Sequence, residues 1–346
     1  MKGSRQRSLR KRGVLLVVAA CVVVVGGALG IYFGLFFGGG TVTAIMPFLA
    51  GLEWSGFYAA QNPNEAYYSS SGFYAQEGLD VELTYTTQGG YGAVQQVAAG
   101  QADFGYAAAD SVILGRSRGL PVVAVYHPER ANLFSVIVRE DSGIRQPEDL
   151  AGKTIAIPGP GSPSDIAARA MLSAEGVDLD SIEFVPVGGG LVSSLSERTA
   201  DAAAGYIITE IVLEGMGVPI RVFYARDYVG EYGGTALITT EDMIEKRPEL
   251  VREFVSATDK GFEFAIGHPE VVVDAFIASN PDAEEYREVE ERFWGRLVNE
   301  VYKGYDSAFG ALDMDRWQQT METLLELGVI DQPVEVEDAF TTEFLP

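Results

Sequence analysis

Cysteine and histidine are scarce in this chain, which contains one cysteine, Cys21, and two histidines, His127 and His268. A single cysteine cannot close a disulfide within the chain or form a cysteine-rich metal site. One histidine at a prospective site, without partners, cannot build a metal centre or a Cys–His pair. No Gly-x-Ser-x-Gly segment marks a serine nucleophile. We therefore predict no metal, no cofactor and no catalytic residue.

Positive charge is also scarce, with 25 Lys and Arg against 49 Asp and Glu, a net charge of −24. Six of the basic residues precede the first acidic residue, which leaves a net charge of −30 on residues 13–346. A body this acidic repels nucleic acid and anionic lipid, so neither is predicted as a partner. The acidity is compatible both with a saline habitat and with a general solubility effect.

The N-terminus carries an apolar run without a charge, the 24 residues 14–37, directly after the basic segment 1–13. This run is long enough to cross a bilayer, and the basic flank predicts a cytoplasmic N-terminus with the acidic body outside. The alternative is lipidation at Cys21, because Val18–Cys21 resembles a lipoprotein cleavage site. The apolar run continues past Cys21, which favours a retained anchor. Either reading places the body on the outer face of the cell membrane, after a linker at 38–42.

The rest of the chain contains an internal repeat. The full chain of 346 residues, 47% of them hydrophobic, is long enough to form two folded lobes. The segment Glu77–Asp80 recurs as Glu175–Asp178, each with the pattern Glu-Gly-apolar-Asp. Asp103 follows Glu77 by 26 residues, and Asp201 follows Glu175 by the same interval. The repeat predicts two matching α/β units that face each other.

Apolar strands separated by helices predict parallel sheets that are covered on both faces. Thr235–Thr240 is predicted to return to the first lobe as a strand, and the chain beyond it to be mostly helical. The chain then crosses between the lobes twice, near Arg139 and near Gly233. The predicted boundaries are 43–138 and 234–346 for the first lobe and 139–233 for the second.

The ligand of such a fold is expected beyond the carboxyl ends of the strands, where helix N-termini point. Aromatic rings at these loops favour a flat ligand, although each ring alone is compatible with ordinary packing. The candidate ligand contacts are Trp54, Tyr58, Gln88, Gly89, Tyr91, Asp110, Ser111, Tyr126, Gly161, Ser162 and Tyr206.

Two of these candidate positions have equally plausible structural roles. The backbone N–H groups of Gly159–Ser162 could hold an anion at the start of a helix. They could equally form a capped turn satisfied by Ser162 or Ser164. Asp110 could simply cap its own helix.

Several motifs resemble those of the extracellular solute-binding proteins of ABC importers. The matching branch groups receptors for thiamine pyrimidines, riboflavin, sulfonates, taurine and nitrate. The segments that carry the resemblance are Gly56–Ala60, Gly72–Val81, Gly100–Gly105, Asp149–Lys153 and Ala200–Ala202. The C-terminal Asp338–Pro346 is most similar to the thiamine-pyrimidine sub-branch. The resemblance specifies a family but not a substrate.

This resemblance implies a periplasmic-binding-protein-like (type II) α/β fold, in which two lobes joined by two hinge crossovers close on a small-molecule ligand. It also implies an ABC permease with its ATPase as partners, and a monomeric body. Glu210 stands where this family often places an acidic residue, which would accept hydrogen bonds from ring N–H or amino groups and reject a nitrate-like anion. The implied ligand is a planar heterocycle such as a thiamine pyrimidine precursor, with riboflavin, sulfonate or taurine, and nitrate as alternatives.

A different class shares the implied fold, namely the pyrimidine synthases of thiamine synthesis. Those enzymes depend on an active-site histidine, a cysteine-rich segment and iron. This chain has no cysteine-rich segment, and its only cysteine lies in the apolar N-terminal run. A receptor is therefore favoured over an enzyme.

Overall fold

The computed structural model describes residues 40–47, 51–61, 72–129, 131, 133–230, 234–302 and 310–346. The predicted membrane segment 14–37 and Cys21 lie outside these residues. Among the helices in the described ranges, none is long and apolar enough to cross a membrane.

The described strands form two five-stranded sheets. In the first sheet the order is β2-β1-β3-β10-β4, and in the second it is β7-β6-β8-β5-β9. The first sheet consists of β1 (Val42–Pro47), β2 (Val81–Thr86), β3 (Phe104–Ala108), β4 (Val122–Tyr126) and β10 (Thr235–Thr240). The second consists of β5 (Ser135–Arg139), β6 (Thr154–Ile157), β7 (Glu183–Pro186), β8 (Ala202–Gly205) and β9 (Ile220–Tyr224).

Helices connect and cover these sheets, as the alternating pattern predicts. Those up to the second crossing are α1 (Ser55–Gln61), α2 (Phe73–Gln76), α3 (Gly89–Ala98), α4 (Ala109–Ser117), α5 (Pro163–Ala174), α6 (Leu191–Ser196), α7 (Ile207–Gly215) and α8 (Arg226–Val229). The C-terminal helices are α9 (Glu241–Lys246), α10 (Pro248–Gly267), α11 (Pro269–Ser279), α12 (Arg287–Arg296) and α13 (Met314–Glu326). A π-helical turn, Leu297–Tyr302, directly follows α12.

Each sheet contains one antiparallel strand, and that strand enters directly after a crossing. Strand β10 lies antiparallel between β3 and β4, and β5 lies antiparallel between β8 and β9. The crossings therefore occupy residues 127–134 and 225–234. The sequence placed residues 135–138 in the first lobe and the first crossing near Arg139. In the structure β5 pairs wholly within the second sheet, because its apolar pattern fits either sheet and only its pairing partners decide.

The internal repeat has the same structural role in both sheets. Gly78 (φ +76) and Gly176 (φ +73) follow the ends of α2 and α5 in the left-handed conformation that glycine adopts without strain. Asp103 accepts a hydrogen bond from the Thr43 N–H at 2.8 Å, and Asp201 accepts one from the Thr154 N–H at 3.0 Å. The repeated residues thus anchor strands and belong to the scaffold.

Helices α1 and α10 cross closely, and this contact yields a stability prediction. A Cβ added at Gly261 would overlap the carbonyl oxygen of Gly56 and approach the Ala60 Cβ to 2.9 Å. We expect Gly261→Ala to lower the free energy of unfolding by about 1–3 kcal/mol, because the backbones must separate. Gly267→Ala, at the end of the same helix with no atom within 4 Å, is the matched control. Urea denaturation checks both, and an equal loss in the two variants would contradict the close crossing.

Candidate functional site

Two acidic and three tyrosine side chains converge from separate elements, and we call them the acid–tyrosine cluster. Glu53 follows β1, Tyr106 lies in β3, Glu129 lies in the first crossing, Tyr206 follows β8 and Tyr302 ends the π-helical turn. Elements connected to both sheets therefore contribute to this cluster. Its position beyond the carboxyl ends of β1, β4 and β8 is where an α/β sheet binds ligands.

Glu129 joins the cluster to both crossings. Its carboxylate accepts a hydrogen bond from the Tyr106 hydroxyl at 3.3 Å and from the Thr235 backbone N–H at 3.2 Å. The second crossing ends against it, since a Cβ added at Gly234 would lie 2.6 Å from the Glu129 carbonyl oxygen. Burial raises the pKa of Glu129, and its hydrogen bonds with Thr235 and Tyr106 limit that rise.

Glu53 provides the second carboxyl group. It lies in the 3₁₀ turn Leu52–Trp54 directly after the end of β1. Burial, with a smaller contribution from the negative charges of Glu129 and Glu290, raises the pKa of Glu53 to about 7. At neutral pH this carboxyl group is therefore close to half protonated, and it can donate or accept a hydrogen bond.

The three tyrosines keep their hydroxyl protons. Burial, and then the negative charge of Glu129, raises the pKa of Tyr106, Tyr206 and Tyr302 well above the usual range. The Tyr302 hydroxyl also donates to the Glu53 carbonyl oxygen at 3.4 Å. The cluster thus combines aromatic rings, neutral hydroxyl groups and acidic oxygens. These groups offer ring faces and hydrogen-bond donors and acceptors for a flat ligand that carries N–H groups.

Among the aromatic candidates, Trp54 and Tyr206 lie in or against the cluster. The Trp54 ring is buried and meets the Tyr106 ring edge-on at a centroid distance of 5.4 Å. The Tyr206 ring is half-buried and lies 5.3 Å from Phe134 and 6.5 Å from Phe293. Trp54 therefore supports the cluster from behind, while Tyr206 contributes its own ring.

The structure gives the other three aromatic candidates local partners. The buried Tyr126 hydroxyl donates to Asp259 of α10 at 3.0 Å. The Tyr58 hydroxyl lies 3.1 Å from that of Tyr85. Tyr91 accepts a hydrogen bond from Arg118 at 2.9 Å, and the Arg118 guanidinium lies 5.0 Å from the ring centre. These contacts match the ordinary-packing alternative more closely than ligand binding.

The loop before α5 is organised by its own aspartate. Asp165 accepts a hydrogen bond from the Gly161 N–H at 2.8 Å and pairs with Arg169 at 2.8 Å. Ser162 caps the helix by accepting a hydrogen bond from the Asp165 N–H. Of the two readings of this loop, the structure shows the capped turn. A bound anion here would meet the Asp165 carboxylate.

The starts of α3 and α4 lie side by side in the first lobe. Gln88 donates its backbone N–H to Thr86, and Gly89 (φ +69) has the left-handed backbone of the turn. Gly90 packs against Ser111, whose oxygen would lie 3.1 Å from a Cβ added at Gly90. The buried Asp110 accepts hydrogen bonds from the N–H and hydroxyl groups of Ser111. Burial raises the pKa of Asp110 to about 6, and this acidic group disfavours an anion between the two helices.

Glu210 is held by three hydrogen-bond donors. Ser135 donates to Oε1 at 3.0 Å, while Tyr224 and Arg296 both donate to Oε2 at 2.7 Å. A carboxylate oxygen accepts about two hydrogen bonds. Within the described part of the chain Oε1 therefore keeps one acceptor position. Ligand contact at Glu210 stays a prediction, and the observed role of this residue is structural.

Four residues of this region carry no sequence signal that identifies them. Tyr106 lies within an apolar strand, and Tyr302 and Arg296 lie in or next to a helical segment far along the chain. Glu129 follows the end of β4 by three residues. Proximity to a strand end could have suggested Glu129, but only its contacts with Tyr106 and Thr235 separate it from other acidic loop residues.

Comparison with known proteins shows what this chain resembles. Residues 54–272 match the family described as NMT1/THI5 like. The chain is 31% identical over 277 residues to the formylaminopyrimidine-binding protein of Halalkalibacterium halodurans, which covers 79% of this chain and 83% of that protein. It is 29% identical over 315 residues to the riboflavin-binding protein RibY of Chloroflexus aurantiacus, with 88% and 86% covered.

Two further similarities bear on fold and chemistry. A 4-amino-5-hydroxymethyl-2-methylpyrimidine phosphate synthase of Legionella pneumophila is 22% identical over 281 residues, with 80% of this chain and 85% of that protein covered. The periplasmic aliphatic sulphonate binding protein SsuA of Escherichia coli superposes with a TM-score of 0.70 at 14% identity, over 87% of this chain and 92% of that one. At this identity the superposition shows a shared periplasmic-binding-protein-like fold.

Proposed function

The chain belongs to the NMT1/THI5-like family, and we propose that it captures a small planar heterocycle, such as a thiamine pyrimidine precursor, for an ABC importer. The family resemblance seen in the sequence is confirmed by the family match and by the two binding-protein relatives. A solute-binding role follows from this membership. The class of ligand and the importer partners are the proposal.

The acid–tyrosine cluster is the observation that carries the choice of ligand. Three tyrosine hydroxyls and two carboxyl groups with raised pKa values can hydrogen-bond ring nitrogens and amino groups. Aromatic rings in the same place can stack on a flat ligand. Among the described residues, a sulfonate or nitrate ion would instead meet Glu129 and Glu53, and the nearby Arg296 is already paired with Glu210 and Glu300.

The mechanism that we propose is closure of two lobes around the ligand. Tyr106 and Tyr206 come from different sheets, so only a closed arrangement lets a ligand contact both. The two crossings at 127–134 and 225–234 would act as the hinge, with Glu129 and Gly234 in contact between them. The closed receptor would dock on a permease driven by its ATPase. A membrane anchor formed by residues 14–37, or a lipid on Cys21, would keep the body on the outer face of the cell membrane and near that permease.

The positions of the two histidines favour a receptor over an enzyme. His127 lies buried in the first crossing with its ring 6.4 Å from Trp317, and His268 stacks on Phe264 at the end of α10. Because one relative is a synthase, the enzymatic alternative also requires a test. We expect a bound pyrimidine to be recovered chemically unchanged after release, as mass spectrometry of the eluted ligand will show.

A ligand panel tests the proposed function. The purified full-length protein is heated with formylaminopyrimidine, riboflavin, taurine, an alkanesulfonate or nitrate, and the unfolding midpoint is recorded. A native-state binder at 100 times its Kd stabilises by about 2.7 kcal/mol. That stabilisation raises the midpoint of a chain of this size by about 5 °C. We expect a planar heterocycle to produce this shift, and a shift with taurine, sulfonate or nitrate alone would overturn the ligand class.

A further inference from the structure

Helices α7 and α12 bring the two lobes together away from the crossings. Helix α7 follows β8 of the second sheet, yet Ile207 and Ile211 are buried in a cluster made mainly of first-lobe residues. Helix α12 and its π-helical turn belong to the same cluster through Phe293 and Leu297. The contact between α7 and α12 therefore joins the lobes by an apolar seam.

Two ion pairs cross this seam, one helical turn apart. Glu210 pairs with Arg296 at 2.7 Å, and Glu214 pairs with Arg292. The order of the partners shows that the helices run antiparallel. The pairs differ in burial: side-chain exposure is 2% for Glu210 and 24% for Arg296, but 47% for Glu214 and 42% for Arg292. An exposed pair contributes little, whereas removing one partner of a buried pair leaves an unpaired charge inside the closed protein.

Arg296 uses its whole guanidinium group at this position. Its Nη1 donates to Glu210, its Nη2 donates to the Tyr224 hydroxyl at 2.8 Å, and its Nε donates to Glu300 at 2.7 Å. The Tyr224 hydroxyl in turn donates to Glu210 at 2.7 Å. Tyr224 ends β9, the last strand before the second crossing. One side chain of α12 thus holds both a helix and a strand end of the second lobe.

We propose that Arg296 is a positioning residue that locks the two lobes in the closed arrangement through Glu210 and Tyr224. Opening of the lobes separates α7 from α12 and breaks the two hydrogen bonds from Arg296 to Glu210 and Tyr224 together. Glu210 then loses its only cationic partner within the described residues, so opening is disfavoured even before a ligand binds. The lock slows ligand release without requiring that Arg296 touch the ligand.

Distance measurement between spin labels tests the lock in the absence of any ligand. The labels are attached at Ser117→Cys of α4 and Ser173→Cys of α5, two exposed positions in different lobes, in full-length protein with Cys21→Ser. We expect a predominant short distance in the parent protein. In Arg296→Met the population with longer distances will rise about tenfold or more. Arg296→Lys keeps the positive charge but lacks the planar guanidinium group with its several N–H donors, so it will restore the short distance in part.

Two further variants make the result decisive. Arg292→Met removes the exposed pair on the same helices and should leave the distance distribution unchanged. Glu210→Gln with Arg296→Met removes both charges, so it avoids a buried unpaired carboxylate and keeps the protein folded while the lock is absent. This double variant should also show the longer distances. An unchanged distribution in the folded double variant, or an equal change in Arg292→Met, overturns the proposal. The outcome is independent of the ligand class, because no ligand is added.

Discussion

We expect the replacement of Tyr206 by alanine to weaken binding of the proposed type of ligand, represented by formylaminopyrimidine, by about 100-fold. The Tyr206 ring enters the acid–tyrosine cluster from the second lobe, next to Phe134 and Phe293. Its removal takes away both a stacking face and a hydroxyl group, in a place where the first lobe supplies Tyr106 and Glu129. Isothermal titration calorimetry on the full-length protein measures the change in Kd.

Tyr91→Ala is the matched control for this prediction. Both tyrosines follow strands and begin helices, and both are candidates on the sequence alone. The Tyr91 ring, however, lies under the Arg118 guanidinium on the first lobe. We expect its loss to change the Kd by less than about threefold. Tyr206→Phe separates the ring from the hydroxyl group. If Tyr91→Ala weakens binding as much as Tyr206→Ala, the site is not the acid–tyrosine cluster.

Replacing Glu53 by glutamine will stabilise the protein at pH 8 by about 3 kcal/mol and leave its stability at pH 4 nearly unchanged. Burial raises the pKa of Glu53 from about 4.5 to about 7, so the folded state binds this proton more tightly than the unfolded state does. The resulting stability is fully present below pH 4.5 and is lost as the pH rises through 7. Glutamine resembles the protonated acid at every pH, so the variant avoids this loss.

Urea denaturation of parent and variant between pH 4 and pH 8 measures this effect. The contributions of Asp110 and Asp259, whose pKa values burial also raises, remain in both proteins and cancel in the difference. Glu82→Gln provides the control, because Glu82 is exposed on β2 and its replacement should change stability little at any pH. A Glu53→Gln variant that gains no stability at pH 8 would show that this carboxyl group is solvated in the folded protein.

Local patterns in the sequence predicted the elements of the fold closely. The return strand Thr235–Thr240 has the bounds that its apolar pattern indicates, and the described chain beyond it is mostly helical, as predicted. The repeated Glu-Gly-apolar-Asp pattern also marks Gly78 and Gly176, which both have the left-handed backbone conformation. These features depend on periodicity, chain reversal and glycine conformation, which neighbouring residues determine.

The site was only partly predictable, for two physical reasons. Helix N-termini such as that at Ser162 are satisfied by a nearby side chain or by a ligand, and the sequence does not distinguish the two. Pairing between distant segments leaves no local signal at all. The first crossing was misplaced for that reason, since an apolar strand such as Ser135–Arg139 fits either sheet until its partners are known.

The sequence by itself determined the family, the alternation of strands and helices, and the two related halves. Tertiary structure alone decided which side chains form the candidate site: Tyr302 reaches the carbonyl oxygen of Glu53 across 249 residues of chain, and Arg296 reaches Glu210 across 86. The tertiary structure also places Glu210, a predicted ligand contact, in the seam between the lobes. The reason is that secondary structure follows from neighbours within a few residues, whereas burial and charge pairing depend on which distant segments the folded chain brings together.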